Sequence, residues 1–153
     1  MNKREIDKLI PISIDEIDKL KSDAESEESF FEVEEVNHKK IYKINREFNG
    51  YISSFGSSIV QSGLISTVAF FCIRNSNSNR DRKKISELIL KIILKNKKEQ
   101  EGKYESLLKY VLEADKDGKL NLVKEEIINA ATALKLSMRV FEFTGNDESK
   151  VSS

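Results

Sequence analysis

The chain has 153 residues, 39% of them apolar and 34% charged, and its 26 basic side chains balance 26 acidic ones. At this length roughly 70% of the unfolded surface can be buried, so we expect one domain with a real core and no need for disulfides. The single cysteine, Cys72, excludes a disulfide framework and a cysteine-rich zinc site. It also favours a reducing compartment, with a cytoplasmic location as the default.

Neither a membrane span nor a secretory signal is visible in the sequence. The longest dense apolar stretch, residues 64–73, is about half as long as the ~20 residues that a membrane-spanning helix requires. Residues 1–10 carry alternating charges without a separate apolar segment. We therefore expect no membrane partner and interpret residues 64–73 as part of a buried helix.

The N-terminal residues 1–35 are predicted to form an acidic extension of short helices packed on the core. Pro11 should separate a helix over residues 3–10 from a second helix, because proline disrupts a helix interior. The second helix would start at Ser13, which has Glu16 three residues later in the pattern of a capping box. Residues 22–29, acidic and rich in serine, are a candidate linker.

The middle of the chain predicts two helices. Residues 36–55 place apolar side chains three and four apart, which is typical of an amphipathic helix. Residues 57–74 are apolar on nearly every side and predict the central buried helix. Gly63 falls inside that helix, where we attribute it to close packing of a neighbouring helix. The alternating Asn and Ser residues at 75–79 predict a loop.

The second half of the chain predicts three more helices, over residues 80–100, 104–114 and 123–143, with Gly102, a turn at Asp117–Gly118, and Gly145 near their ends. Residues 145–153 lack the apolar content to fold and should form a flexible tail. The fold class predicted is all-α, a single-domain bundle of about six helices with a helical core over residues 36–144.

Charge is distributed unevenly along the chain. Residues 1–35 carry 5 basic and 12 acidic groups (net −7), residues 36–73 carry 4 and 1 (+3), residues 74–98 carry 9 and 2 (+7), and residues 99–153 carry 8 and 11 (−3). In the predicted helices, Lys39, Lys43 and Arg46 lie opposite an apolar stripe, and Lys84, Lys91 and Lys98 recur every seven residues. Clustered cations favour a polyanion such as RNA. A solvated lysine-rich surface gives the same pattern and stays open as an interpretation.

No constellation suited to catalysis is visible. His38 is the only histidine, and Cys72 lies in an apolar run where a thiol is inert. Residues 113–126 resemble a calcium loop, but when Gly118 is taken as the sixth position, Lys124 occupies the twelfth, where glutamate is required. We expect no catalytic residue, no metal and no cofactor. A Mg²⁺-dependent nuclease or hydrolase using carboxylates is the enzymatic alternative.

Two motifs resemble those of a known family. Gly63-Leu64 followed by Thr67-Val68-Ala69-Phe70-Phe71, with Tyr51 and Ile59 upstream, resembles a signature of the small subunit of type III-B CRISPR effector complexes, the Cmr complexes. That signature reads Gly-Leu, two residues, Thr-Leu-Ala-Phe-Leu, so valine replaces one leucine here. Residues 131–141 are similar to the family's final helix, although its usual tryptophan is absent. The resemblance covers about residues 36–144.

The resemblance implies a non-catalytic subunit of an RNA-guided, RNA-targeting antiviral effector. The implied partners are the backbone and large subunits of the Cmr complex, neighbouring copies of the same chain, and target RNA paired to guide RNA. Arg139 joins the candidates through the match to the final helix. The candidate RNA-binding residues are Lys39, Lys43, Arg46, Arg74, Arg82, Lys83, Lys84, Lys91 and Arg139. The alternative is a protein-only helical scaffold of another complex, without RNA contact.

Overall fold

The computed structural model describes residues 2–24, 29–73 and 81–145, which contain six α-helices and a three-stranded sheet. The helices are α1 (Lys3–Lys19), α2 (Glu47–Ser62), α3 (Leu64–Cys72), α4 (Lys83–Asn96), α5 (Leu107–Lys116) and α6 (Leu120–Met138). The strands β1 (Phe31–Val36), β2 (Lys39–Ile44) and β3 (Glu142–Phe143) lie in the order β1-β2-β3. The molecule is therefore mostly helical, as predicted, but the prediction of a purely α-helical fold is wrong.

The first half of the predicted helix over residues 36–55 is part of a β-hairpin instead. β1 and β2 pair antiparallel, from Phe31 opposite Ile44 to Val36 opposite Lys39. The two residues between the strands have φ angles of 52° and 66°, the left-handed backbone that such a tight turn requires. The hairpin buries Phe31 and Ile44 completely, and its register places Glu32 opposite Lys43 and Glu35 opposite Lys40.

The second half of that predicted helix is correct, because α2 buries Phe48, Ile52, Phe55 and Ile59 along one stripe. α2 ends at Ser62, directly before Gly63, for which the sequence predicts a place inside a helix against a close neighbour. Gly63 has a φ of 89°, and a Cβ at this position would meet nothing within 4 Å. Glycine is needed here for the turn between α2 and α3, since other residues are strained at positive φ.

α1 is a single helix of 17 residues that continues through Pro11, where the sequence predicted a break. It packs against α6 and α4. The Asn2 N–H donates to Asn129 Oδ1 at 3.1 Å, and Ser137 Oγ donates to the Ile10 carbonyl at 3.4 Å. The contact at the start of α1 is made to the earlier residue of α6 and the contact further along α1 to the later one, so α1 and α6 run parallel. Tertiary packing therefore outweighs the helix-breaking tendency of proline.

α4, α5 and α6 confirm the three helices predicted in the second half, with different ends. α4 stops well before Gly102, because Lys98 takes the left-handed conformation (φ 59°) and the Glu99 N–H donates to the Leu94 carbonyl at 2.9 Å. Gly118, with a φ of 70°, ends α5 in the predicted turn.

The last predicted helix is too long at its C-terminal end. α6 ends at Met138, and β3 then pairs in parallel with β2, Glu142 beside Lys43 and Phe143 beside Ile44. Phe141 packs edge-on against Phe31, with ring centres 5.6 Å apart. The predicted loop at 75–79 and the tail beyond residue 145 lie outside the described residues. No helix in the described part of the chain is long and apolar enough to cross a membrane.

Candidate nucleic-acid interface

The candidate RNA-binding residues fall into two groups on different elements. We call Lys39, Lys43, Arg46 and Arg139 the hairpin group, and Arg82, Lys83, Lys84 and Lys91 the α4 group. Arg74, the ninth candidate, lies outside the described residues. The two groups differ in what faces each cation.

In the hairpin group, Lys43 forms an ion pair within the sheet. Its Nζ lies 3.2 Å from Glu34 Oε2, and only 11% of its side chain is exposed. Glu34 stands opposite Ile41 in the register, so the contact runs diagonally across the hairpin. Lys43 and Lys39 share a face because they are four apart on a strand, an even number of residues, and Arg46 lies beyond the strand end. The helical face predicted for these three residues does not exist.

Arg46 contacts the segment that follows Arg139. The Arg46 N–H donates to Thr144 Oγ1 at 3.1 Å, and a Cβ on Gly145 would lie 2.9 Å from Arg46 Nη1. The arginine side chain therefore lies against the backbone of Gly145. Arg139 is exposed at the C-terminal end of α6. Within the described residues, neither guanidinium has an ion pair.

The start of α4 meets the end of α3 through an arginine and a phenylalanine. Arg82 Nε donates to the Phe70 carbonyl at 3.0 Å, and the guanidinium carbon lies 3.9 Å from the centre of the Phe70 ring. Phe70 is 54% exposed, so this cation–π pair lies at the surface. Unstacked bases bind aromatic rings and guanidinium planes, and phosphates bind cations. The pair therefore combines the two chemistries that single-stranded RNA requires.

Lys83 and Lys84 are the first two residues of α4 and extend this basic surface. Both are half-buried, and neither forms an ion pair within the described part of the chain. They lie at a helix N-terminus, where the helix dipole adds to the positive potential. The Lys83 N–H itself donates to Asp81 Oδ1 at 3.0 Å.

Lys91 and Lys95 in the C-terminal half of α4, and Lys97 directly after α4, each face a carboxylate. The Nζ–Oε distances are 3.8 Å for Lys91–Glu101, 3.5 Å for Lys95–Glu16 and 2.9 Å for Lys97–Glu126. Lys98 follows the end of α4, so the seven-residue repeat that predicted one basic stripe breaks at its last member. Of the predicted α4 group, only Lys91 takes part in this neutralised half.

The contact of Lys97 belongs to a polar network that no local motif predicts. Lys97 Nζ donates to Tyr110 Oη at 2.9 Å, and Tyr110 Oη donates to Glu126 Oε1 at 2.5 Å. Burial, assisted by the bond to Glu126, raises the pKa of Tyr110 to about 12. Burial lowers the pKa of Lys97, but the bonds to Tyr110 and Glu126 outweigh it and hold that pKa above its ordinary value. The network joins α4, α5 and α6.

The side chains best suited to proton transfer or nucleophilic attack lie on different elements. His38 is exposed in the hairpin turn. Cys72 is half-buried at the end of α3 and lines a groove of about 230 Å³ together with Lys83. Among the described residues, no group of three or more histidine, cysteine or acidic side chains is arranged to hold a metal ion.

Fold and surface together define a small, mostly helical protein with two separate groups of cations. The family model of a CRISPR-associated protein (Cas_Cmr5) matches residues 22–137, more than half of the chain. The chain therefore belongs to this family, the small subunit of the type III-B CRISPR (Cmr) complex, which confirms the resemblance seen in the sequence. The match begins within the N-terminal segment, before the range that the resemblance covered. No curated protein and no solved structure matches the chain.

Proposed function

We propose that this protein is a non-catalytic subunit that stabilises an RNA-guided, RNA-targeting Cmr effector and contacts target RNA at the start of α4. The observation that carries the proposal is the junction of α3 and α4. There the Arg82 guanidinium stacks on the exposed Phe70 ring, and Lys83 and Lys84, the next two residues in the chain, form no ion pair within the described residues. Cations supply affinity for the phosphates, and the ring supplies a surface for a base.

The other candidates divide by what they contact. Lys43 and Lys91 each contact a carboxylate, so we assign them to the protein's own structure. Lys39, Arg46 and Arg139 are exposed near the hairpin and serve as secondary phosphate contacts. Arg74 remains a candidate because it follows α3 closely in the chain.

The proposed partners are the backbone and large subunits of the Cmr complex, neighbouring copies of this chain, and target RNA paired to the guide. Few phosphate contacts per copy are enough, because assembly raises the effective concentration of each binding surface. The non-catalytic role is supported by the separation of His38 and Cys72 onto different elements. Purified protein in Mg²⁺ should therefore leave RNA intact. RNA cleavage abolished by a single Asp or Glu substitution would instead establish the nuclease alternative.

The RNA contact is tested in the reconstituted effector with Lys83→Glu and Lys84→Glu together. We expect the affinity for target RNA to fall about tenfold, and the slope of log K against log salt to shrink by about 1.4, roughly 0.7 per lost phosphate contact. The matched control is Lys109→Glu with Lys116→Glu on α5. These two lysines are exposed and form no ion pair in the described structure, so the control makes the same change in charge.

The control distinguishes a local RNA contact at the start of α4 from a general effect of the protein's net charge on RNA binding. Equal losses in both double variants would show that net charge alone matters, and an unchanged slope in the α4 variant would reject the RNA surface. In the second case, normal assembly of the variant into the effector would favour the protein-only scaffold.

A further inference from the structure

A groove of about 550 Å³ lies between α2 and α6 and contains none of the candidate RNA-binding residues. Its floor is apolar, formed by Ile52 and Ile59 of α2 and by Ile128 and Ala131 of α6. Val60 stands on the rim and is 86% exposed, the highest value among the large exposed apolar side chains of the described residues. A groove of this kind exposes apolar surface that the monomer does not cover.

The helix that forms one wall of the groove differs in composition from the rest of the chain. Residues 48–73 contain no charged residue, although 34% of the whole chain is charged. The exposed positions of α2 carry serine, glycine, asparagine, glutamine and valine. Depletion of charge is typical of the centre of a protein interface and is unusual on a helix that faces only water.

Gly56 sits in the interior of α2 and lines the groove. Glycine is among the poorest residues for a helix interior, so it needs a reason to be there. A Cβ at this position would meet nothing within 4 Å, so no described atom of the chain supplies that reason. A partner that packs closely on the α2 backbone would supply it.

We propose that the groove between α2 and α6 binds an amphipathic helix of another protein subunit, with an apolar stripe flanked by carboxylates. Lys124 and Lys135 line the two ends of the groove on α6, about 16 Å apart at 1.5 Å per residue, which matches roughly three turns of a bound helix. Neither lysine has an ion pair in the described structure. Glu125, the carboxylate of the lining set, already has an interaction partner.

Among the described helices, a second copy of this chain offers none with such a stripe. On its described helices, the exposed large apolar side chains other than Val60 are isolated: Phe70 on α3, Leu112 on α5, and Leu122 and Leu136 far apart on α6. Ile73 and Val140, which follow Phe70 by three residues and Leu136 by four, lie beyond the ends of α3 and α6, so no described helix carries an exposed apolar stripe with spacing of three and four residues. The occupant therefore comes from a different protein.

A photo-crosslinking amino acid in place of Val60 tests this in the reconstituted Cmr complex, with the same substitution at Leu112 on α5 as control. We expect the residue-60 probe to form an adduct with a helical segment of another protein subunit that has acidic residues beside its apolar stripe. The Leu112 probe should not yield that adduct. An adduct with RNA, an adduct with a second copy of the chain, or none at all would overturn the proposal.

Two glycine substitutions in α2 provide the second test. Gly50 and Gly56 are both exposed in the helix interior with nothing within 4 Å of a Cβ, but only Gly56 lines the groove. Gly56→Leu should fold normally yet weaken incorporation into the complex about tenfold or more, whereas Gly50→Leu should stay within about twofold of the parent. Equal effects of the two substitutions would reject the groove. The salt slope of RNA binding should be unchanged by Gly56→Leu, so a failure here is distinct from a failure of the RNA contact.

Discussion

The two ends of α4 carry similar numbers of cations but use them differently. At the N-terminal end, Lys83 and Lys84 form no ion pair within the described residues, and Arg82 stacks on an exposed ring. At the C-terminal end, the lysines at 91, 95 and 97 each lie within 4.0 Å of a carboxylate. The role of a lysine therefore depends on which acidic element the fold places opposite it.

The carboxylates at the C-terminal end come from both acidic parts of the chain. Glu16 of α1 is only 5% exposed and lies 2.9 Å from Lys19 Nζ and 3.5 Å from Lys95 Nζ. Glu126 of α6 and Glu101, which follows α4, supply the others. The acidic N-terminal and C-terminal parts of the sequence thus neutralise one half of α4 and leave the other half positive.

The largest effect is expected at Ile89, which is fully buried in α4 between the two ends. Ile89→Ala should lower the free energy of unfolding by ~2–5 kcal/mol, because buried methyl groups are lost and a cavity remains. Urea unfolding followed by circular dichroism measures this loss, with an unchanged m-value as the sign of two-state behaviour. A loss below ~1 kcal/mol would mean that burial of this stripe does not hold α4 in place. The contacts that distinguish the two ends of α4 would then not depend on its packing.

A matched pair of substitutions compares the two ends directly. Lys97→Met removes a charged hydrogen-bond partner from Tyr110 and Glu126 and should cost about 1 kcal/mol, since the contact is partly exposed. Lys84→Met at the other end should change stability by less than ~0.5 kcal/mol while weakening RNA binding. Both values come from the same urea titrations. Equal losses of stability in the two variants would contradict the proposal that the C-terminal end of α4 stabilises the fold and the N-terminal end binds RNA.

Alkaline pH should also weaken the polar network at the C-terminal end of α4. The pKa of Tyr110 is about 12 in the folded protein against an ordinary value of 10.0, and the pKa of Lys97 is raised as well. Both groups hold their protons more tightly when folded, so their contribution to stability is complete below about pH 10 and is lost as the pH rises towards 12. Tyr110→Phe should flatten the fall of the urea midpoint above pH 10, and Lys84→Met should not. The same slope in all three proteins would refute the role of the network.

The helical spacing of apolar residues was sufficient to predict α4 and α6, because a buried stripe at three and four residues is a local property of the sequence. The hairpin was missed for a physical reason. Ile41 and Ile44 are three apart and fit a helix, but Ile44 is the buried strand residue and pairs with Phe31. The available signal was the Asn37–His38 pair between two runs rich in β-branched and aromatic residues.

From the sequence, the candidate site can be predicted only as a stretch of the chain that is rich in basic residues. The sequence identifies a basic stretch over residues 74–98, but it cannot show that Glu126 and Glu16 reach Lys97 and Lys95, since these partners are far apart along the chain. Nor does it show that Arg82 stacks on Phe70, twelve residues earlier. Long-range contacts of this kind decide which cations are neutralised, and they follow from the packing of α1, α3 and α6 on α4.

The smallest effect is expected at Lys98, and it tests how far the RNA surface extends along α4. Lys98 has a φ of 59°, a conformation that glycine adopts without strain, so Lys98→Gly should raise the free energy of unfolding by up to ~1 kcal/mol. If the RNA surface is confined to the N-terminal end, this variant should bind target RNA within about twofold of the parent, in contrast to Lys84→Met. Urea unfolding and a salt titration of RNA binding on the same preparations measure both quantities. A loss of RNA affinity as large as that of Lys84→Met would extend the RNA surface along the whole of α4, and the ion pairs at its C-terminal end would then have to open when RNA binds.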